Sequence, residues 1–274
     1  MITNILVLTD FSLAAKNALE YTIQLAQKIS AGVRVMHVDM LPVMEVPYPA
    51  ANYAELILSR EKSIHKNLDA LKQSMSRKYS VNLETISHIG SLYESMDSYC
   101  KENNIDMVVM GTTGGSALEQ VLIGSNTTAV VRRIKIPVLI IPEECKYRAI
   151  KKITYASDYT ENDFPDIARL FYLAEQYKAE LTVLHVKSEI DKFLKKSSNF
   201  FTRNRKDISF KNWKSKRITD PDIMTGINQY VSKNKTDLLI LAKHNRSFFE
   251  KIFHRSLSKR MAFHTKIPLL ILNM

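Results

Sequence analysis

Glycine and cysteine are both scarce in this 274-residue chain, with seven of the first and two of the second. Cys100 and Cys145 are too few for a disulfide framework, and their spacing matches no metal motif. They read as unpaired thiols in a reducing compartment, so a cytoplasmic location is expected. No run approaches the ~18 apolar residues of a membrane span, and no membrane role is expected. The opening MITNILVLTDFS lacks a basic leader and a small-residue cleavage site, so it does not read as a signal peptide. At this length two domains are expected.

Excess charge is missing from the first half. Residues 1–142 carry 13 Lys/Arg and 13 Asp/Glu, while residues 143–274 carry 26 and 15, the whole net +11. The two halves have therefore diverged in surface character. Residues 192–217 hold ten Lys/Arg interleaved with Phe193, Phe200, Phe201, Phe210 and Trp213. Basic residues among aromatics can bind single-stranded nucleic acid. No RNP-type or helix-turn-helix pattern accompanies them. The expected reading is a solvated basic helix and loop followed by a strand with aromatics toward the core, and nucleic acid is not an expected partner.

What the chain does have is an internal repeat. NILVLTDFS at 4–12 falls on KITYASDYT at 152–160, with Asp10 over Asp158. The same offset of 148 carries AGVRVMHVD (31–39) onto KAELTVLHVKS (178–188), His37-Val38 over His185-Val186. Toward the ends the offset becomes 131, with Asp106–Met110 over Asp237–Leu241 and RIKIPVLIIP (133–142) over HTKIPLLILN (264–273). The second copy is 17 residues shorter, and the deletion falls between its second and fourth strands. The expected domains are 1–142 and 149–274, joined by the short polar linker EECKYR (143–148).

Each copy alternates strand and helix. ILVL (5–8) and VRVMHV (33–38) are buried-strand runs. Ser12 is placed to cap the helix between them, and Ala31-Gly32 to end it. Residues 40–52 read as a loop, 53–79 as a long helix with Ile57, Ile64, Leu68, Leu71 and Met75 on one face, and 81–89 as a third strand. A helix at 91–103, a strand at 107–110, a helix after Gly124 and a strand at 137–142 complete the copy. In the second copy Thr160, answered by Asp163, is expected to cap one helix. Asp220-Pro221 is expected to open another. The pattern is α/β: two tandem doubly wound, five-stranded, mainly parallel sheets, with ligands expected at the carboxyl ends of the strands.

Four of the seven glycines, Gly111, Gly114, Gly115 and Gly124, fall within fourteen residues. The segment starts where a buried strand ends and stops at Ser125-Asn126-Thr127, where a helix begins. Glycine lets backbone N–H groups approach an anion with no Cβ between, and a helix N-terminus favours negative charge. The spacing is neither a P-loop nor the dinucleotide fingerprint, and the loop follows the fourth strand rather than the first. Asp10, after the first strand, can cap a helix, and Ser12 competes for that cap, which frees the Asp10 carboxylate. His37 and His185 read as strand-end residues, with no second metal-type ligand at helical or strand spacing.

On these residues the chain resembles the universal stress proteins. Nucleotide-binding members of that family carry Gly-x2-Gly-x9-Gly-Ser/Thr after the fourth strand, matched here at Gly111, Gly114, Gly124 and Ser125. The resemblance implies a Rossmann-like, adenine nucleotide alpha hydrolase-like fold in which the two copies form an intramolecular pseudo-dimer. It implies Asp10 near the nucleoside, Val38 against adenine through its backbone, and Leu8, Thr9, Met110 and Asn126 in the pocket wall. The implied ligand is ATP, or AMP or ADP in its place, with Mg on the phosphates. An unidentified protein partner and further pairing of whole chains into a homodimer are also open.

In the second copy Gly111 becomes Ala242, Gly114 becomes Asn245 and Gly124 becomes Arg255, while Ser125 keeps a like partner in Ser256. Asp158 and Val186 remain. One competent site and one degenerate site are therefore expected. The leading function is a nucleotide-dependent regulator in stress response. The alternatives are a slow ATPase, with Glu119 and Gln120 close in sequence but no Lys or Arg in the loop, and a nucleotide-independent scaffold using the second half's basic surface. No catalytic residue and no metal ligand is assigned.

Overall fold

The computed structural model describes residues 2–40, 50–112, 114–115, 120–121, 125–157, 164–187, 210–242 and 266–272. The first half runs β1 (Asn4–Leu8), α1 (Leu13–Ile29), β2 (Gly32–Asp39), α2 (Ala50–Tyr79), β3 (Glu84–Ile89), α3 (Leu92–Glu102) and β4 (Met107–Thr112). A two-residue pair, β5 (Gly114–Gly115) and β6 (Gln120–Val121), precedes α4 (Ser125–Arg133) and β7 (Val138–Pro142). The second half runs β8 (Lys152–Ala156), α5 (Phe164–Gln176), β9 (Glu180–Lys187), β10 (Trp213–Thr219), α6 (Ile223–Asn234), β11 (Leu238–Ala242) and β12 (Leu269–Leu272).

Strand bounds follow the repeat. β1 and β8, and β2 and β9, stand 148 residues apart at both ends. The strands are apolar on both faces because helices cover both, as a parallel sheet requires. In each half the spatial order is third, second, first, fourth, last, and neighbours within a half run parallel.

The two five-stranded halves join into one ten-stranded sheet, ordered β10-β9-β8-β11-β12-β7-β4-β1-β2-β3. The seam is the antiparallel pair β12–β7. There Leu270 faces Leu139, its own counterpart at the offset of 131. A residue opposite its own copy marks a pseudo-two-fold axis, the isologous geometry of a C2 dimer within one chain. One apolar core lies on each face of the sheet, and each draws on both halves. Ile5, Val7, Leu19 and Met75 share one with Tyr155, Leu170 and Val183. Leu6, Met36, Met96 and Val130 share the other with Leu184, Ile227 and Leu241.

The linker is held to both halves. Buried Asn17 on α1 donates from Nδ2 to the carbonyls of Pro142 (3.0 Å) and Cys145 (2.9 Å), and Lys146 Nζ donates to its Oδ1 at 2.9 Å. Tyr147 sets its ring edge-on to Tyr21 at 5.2 Å. Arg148 reaches the second half, with Nε 2.9 Å from Asp237 Oδ1. Asp106 and Asp237 are counterparts that pin strand starts. Asp106 accepts the backbone N–H groups of Thr3 and Asn4, and Asp237 those of Lys151 and Lys152.

Helix ends differ from expectation in two places. α1 stops at Ser30, in left-handed conformation at φ 57°, and Gly32 instead starts β2 opposite Asn4. A short polar side chain tolerates that conformation at one residue, so glycine is not needed there. α6 is capped by Asp222, not Asp220: Asp222 takes the extended cap conformation and its carboxylate accepts from Thr225 N–H. Asp220 instead accepts the N–H of Asp222 at 2.9 Å, which closes the turn before the helix. The Thr160–Asp163 cap lies outside the described residues.

Candidate functional site

The first half reverses strand order between β1 and β4: β1 leads by way of α1 to β2 on one side, and β4 pairs β7 on the other. A crevice at the carboxyl ends follows from that topology. A cavity of about 240 Å³ lies there.

The turn from β1 to α1 builds its floor. Thr9 continues the ladder by donating its N–H to the Met36 carbonyl at 2.9 Å. Three successive polar side chains then catch backbone N–H groups. Thr9 Oγ1 accepts from Phe11 (3.1 Å), Asp10 Oδ1 from Ser12 (3.0 Å) and Ser12 Oγ from Ala15 (3.2 Å). The last is the expected cap of α1. Asp10 is therefore no helix cap, but it closes an Asx turn with one oxygen while its side chain stays exposed. This brace holds Phe11 in left-handed conformation at φ 65°, costly for a bulky residue. The Phe11 ring lies 4.6 Å from the His37 ring, and His37 Nδ1 lies 2.8 Å from the Thr9 carbonyl oxygen.

Leu8, Thr9, Asp10, Val38, Met110, Gly111 and Asn126, from four separate elements and their ends, all line this one cavity. Ser12, Ala14, Met36, His37, Leu92, Thr112 and Thr127, which the sequence did not assign to a pocket, line it too. Gly114 sits in the small ribbon opposite Val121, and Ser125 begins α4. Gly124 lies outside the described residues. The ribbon gave no sequence signal because two-residue strands carry no periodicity to read.

Packing against α1 requires glycine at position 111. A Cβ built there would meet the carbonyl oxygen of Ala14 at 2.4 Å and the N of Ala15 at 2.8 Å. The bare α-carbon thus lets the first turn of α1 rest directly on β4, which brings Ser12 and Ala14 to the cavity wall.

Charge beside the cavity is fixed by Asp39 at the end of β2. Its carboxylate is buried and is gripped by the Arg60 guanidinium of α2 through both oxygens, one at 2.9 Å. Those hydrogen bonds hold the Asp39 carboxyl below the usual carboxylate range. The pair ties α2 to the cavity rim. Asp10 is the one carboxylate among the lining residues, and no cluster of three or more metal-type ligands occurs among the described residues.

The second half keeps part of this arrangement. His185 Nδ1 lies 3.0 Å from the Ser157 carbonyl oxygen, matching His37 and Thr9 at the offset of 148. Ala242, at the place of Gly111, is buried. Asp158, Asn245, Arg255 and Ser256 lie outside the described residues, as do Glu119 of the first-half loop and Phe193, Phe200 and Phe201 of the basic stretch. Gln120 is described only as part of β6. Phe210 and Trp213 pack on Phe171 at 5.5 Å, so these two aromatics serve the core as expected. No helix among the described residues is long and apolar enough to cross a membrane.

Comparison with known proteins gives the family and the fold. The family model for the universal stress protein family matches residues 1–142. Universal stress protein MJ0531 of Methanocaldococcus jannaschii is 30% identical over 145 residues, 52% of this chain and 83% of that protein. Universal stress protein YxiE of Bacillus subtilis is 26% identical over 148 residues, 52% of this chain and 99% of that protein. Over the whole length, the crystal structure of a universal stress protein from Archaeoglobus fulgidus shares the fold. Its TM-score is 0.70 at 16% identity, and 98% of each chain is covered.

Proposed function

This chain belongs to the universal stress protein family, and we propose that it is an adenine-nucleotide-binding regulator with one competent site, in the first of two domains spanning 1–142 and 149–274. The observation that carries the reading is the convergence of Leu8, Thr9, Asp10, Val38, Met110, Gly111 and Asn126 on one cavity at the switch point. Apolar Met36, Val38 and Leu92 suit a base. Asp10, with one oxygen already in the turn, offers the other to a ribose hydroxyl. The first turn of α4 offers backbone N–H groups and the positive end of a helix dipole to the phosphates. Gly114, Gly124 and Ser125 belong to that phosphate end. Mg2+ would bind through the phosphates and water, with few protein ligands.

Binding rather than turnover is proposed. The described lining residues include no Lys or Arg, the groups that neutralise charge in phosphoryl transfer. Regulation would follow if ligand and loop favour one conformation together, with a stress response as its setting.

Titration calorimetry of the full chain with ATP, ADP and AMP tests this. One site per chain is expected, and Asp10→Ala weakens it about tenfold, the scale of a lost hydrogen bond to a charged acceptor. No binding of any of the three, or two equal sites per chain, would overturn the proposal.

A further inference from the structure

One polar group at this cavity is left over. Thr112 is the last residue of β4 and is 3% exposed. Its carbonyl is used, accepting the N–H of Glu143 at 3.0 Å. Its Oγ1 has no hydrogen-bond partner, one of two such buried side-chain atoms among the described residues. A buried hydroxyl without a partner is unfavourable, and native interiors rarely keep one without a use.

Its neighbours indicate the use. Thr112 lines the cavity together with Asn126 and Thr127 of the first turn of α4. Side chains alternate along a strand, so Thr112 shares its face with Met110 and Val108, the face of the core that α4 packs on. Gly111, one residue earlier, turns the other way, toward the backbone of α1. The end of β4 thus sends one residue to each side: glycine to the helix before the cavity, a hydroxyl to the helix after it. Oγ1 is buried, and one χ1 step exchanges hydroxyl and methyl.

We propose that the Thr112 hydroxyl is a ligand-binding donor, engaged by a phosphate oxygen of the nucleotide beside the first turn of α4. A phosphate supplies several acceptor oxygens at once, which suits one hydroxyl next to the free N–H groups of a helix start. A nucleoside without phosphate gives this corner nothing to accept its hydrogen bonds. Thr112 thereby separates nucleotides from nucleosides. The inference rests on the adenine-nucleotide reading above and names a residue that determines specificity within it.

Thr112→Val and Thr112→Ser in the full chain, titrated with AMP, ATP and adenosine, test it. Valine keeps the shape and branching and removes the hydroxyl, while serine keeps the hydroxyl. AMP and ATP affinity is expected to fall about tenfold in the valine variant, the scale of one charge-assisted hydrogen bond. It returns to within about twofold of wild type in the serine variant, and adenosine binding does not change. The unliganded valine variant is expected to melt no lower than wild type, because it loses a hydroxyl that had no partner. Equal weakening toward adenosine and AMP, or no weakening toward either, overturns the assignment of Thr112 while leaving the nucleotide site in place. A wild-type chain that binds none of the three overturns both.

Discussion

The Nδ1 of His37 lies 2.8 Å from the carbonyl oxygen of Thr9, and the same bond recurs between His185 and Ser157 at 3.0 Å. A carbonyl oxygen only accepts, so Nδ1 carries the hydrogen in both rings. The bond ties the end of the second strand to the end of the first in each half. Nitrogen NMR in mildly alkaline buffer is expected to show Nε2 as the unprotonated nitrogen of both residues. A His37 signal in the opposite tautomer would contradict the bond.

Gly111→Ala is expected to act on the fold as well as on the site. The added methyl would press on the Ala14 backbone at 2.4 Å, and backbone cannot swing aside as a side chain can. Moving α1 off β4 should cost about 1–3 kcal/mol, as overpacking does. Urea unfolding measures it, and an unchanged midpoint would show that α1 yields freely.

Asn17 gives a separate test. Its amide makes three hydrogen bonds from a buried place on α1, one to Pro142 at the end of β7 and two to the linker. Asn17→Ala leaves the Pro142 and Cys145 carbonyls without it and is expected to cost about 1–3 kcal/mol. Cleavage by a protease within 143–148 should quicken in the variant. If cleavage and melting are both unchanged, the linker is held by Tyr147 and Arg148 alone.

Stability should depend on pH in a stated direction. Desolvation opposes ionisation of Asp106, but hydrogen bonds from Thr3 and Asn4 outweigh it and hold its carboxyl below the usual range. Asp39 is lowered first by its hydrogen bonds from Arg60. A carboxyl lowered in the folded state stabilises in full above its unfolded value, about 4. That contribution drains as pH falls through the lower folded value, because the unfolded chain binds the proton first. Urea midpoints are expected to hold above about pH 5 and to fall toward about pH 3. Asp106→Asn should shallow that fall, and an identical slope in the variant would remove Asp106 from the account.

The repeat made the fold legible, because apolar strands on a shared offset fix both the elements and their pairing order. The switch point gave the place of a pocket at the strand ends, but Leu8, Val38 and Met110 could be named only through the resemblance to the universal stress proteins. Thr112 could not, since a threonine closing a strand carries no mark of lacking a partner. Nor could Asn17, whose partners lie 125 and 128 residues away and depend on how the linker folds back. Asp220 was read for Asp222 because both are capping residues, and only the local dihedrals distinguish them.

The antiparallel seam at Leu139 and Leu270 reverses the direction of every strand from one half to the other. The carboxyl ends of the two halves therefore open at opposite rims of a shared sheet. A small molecule seated at one rim therefore does not reach the other. Ala242, the counterpart of Gly111, thus lies at the rim opposite the first-half cavity.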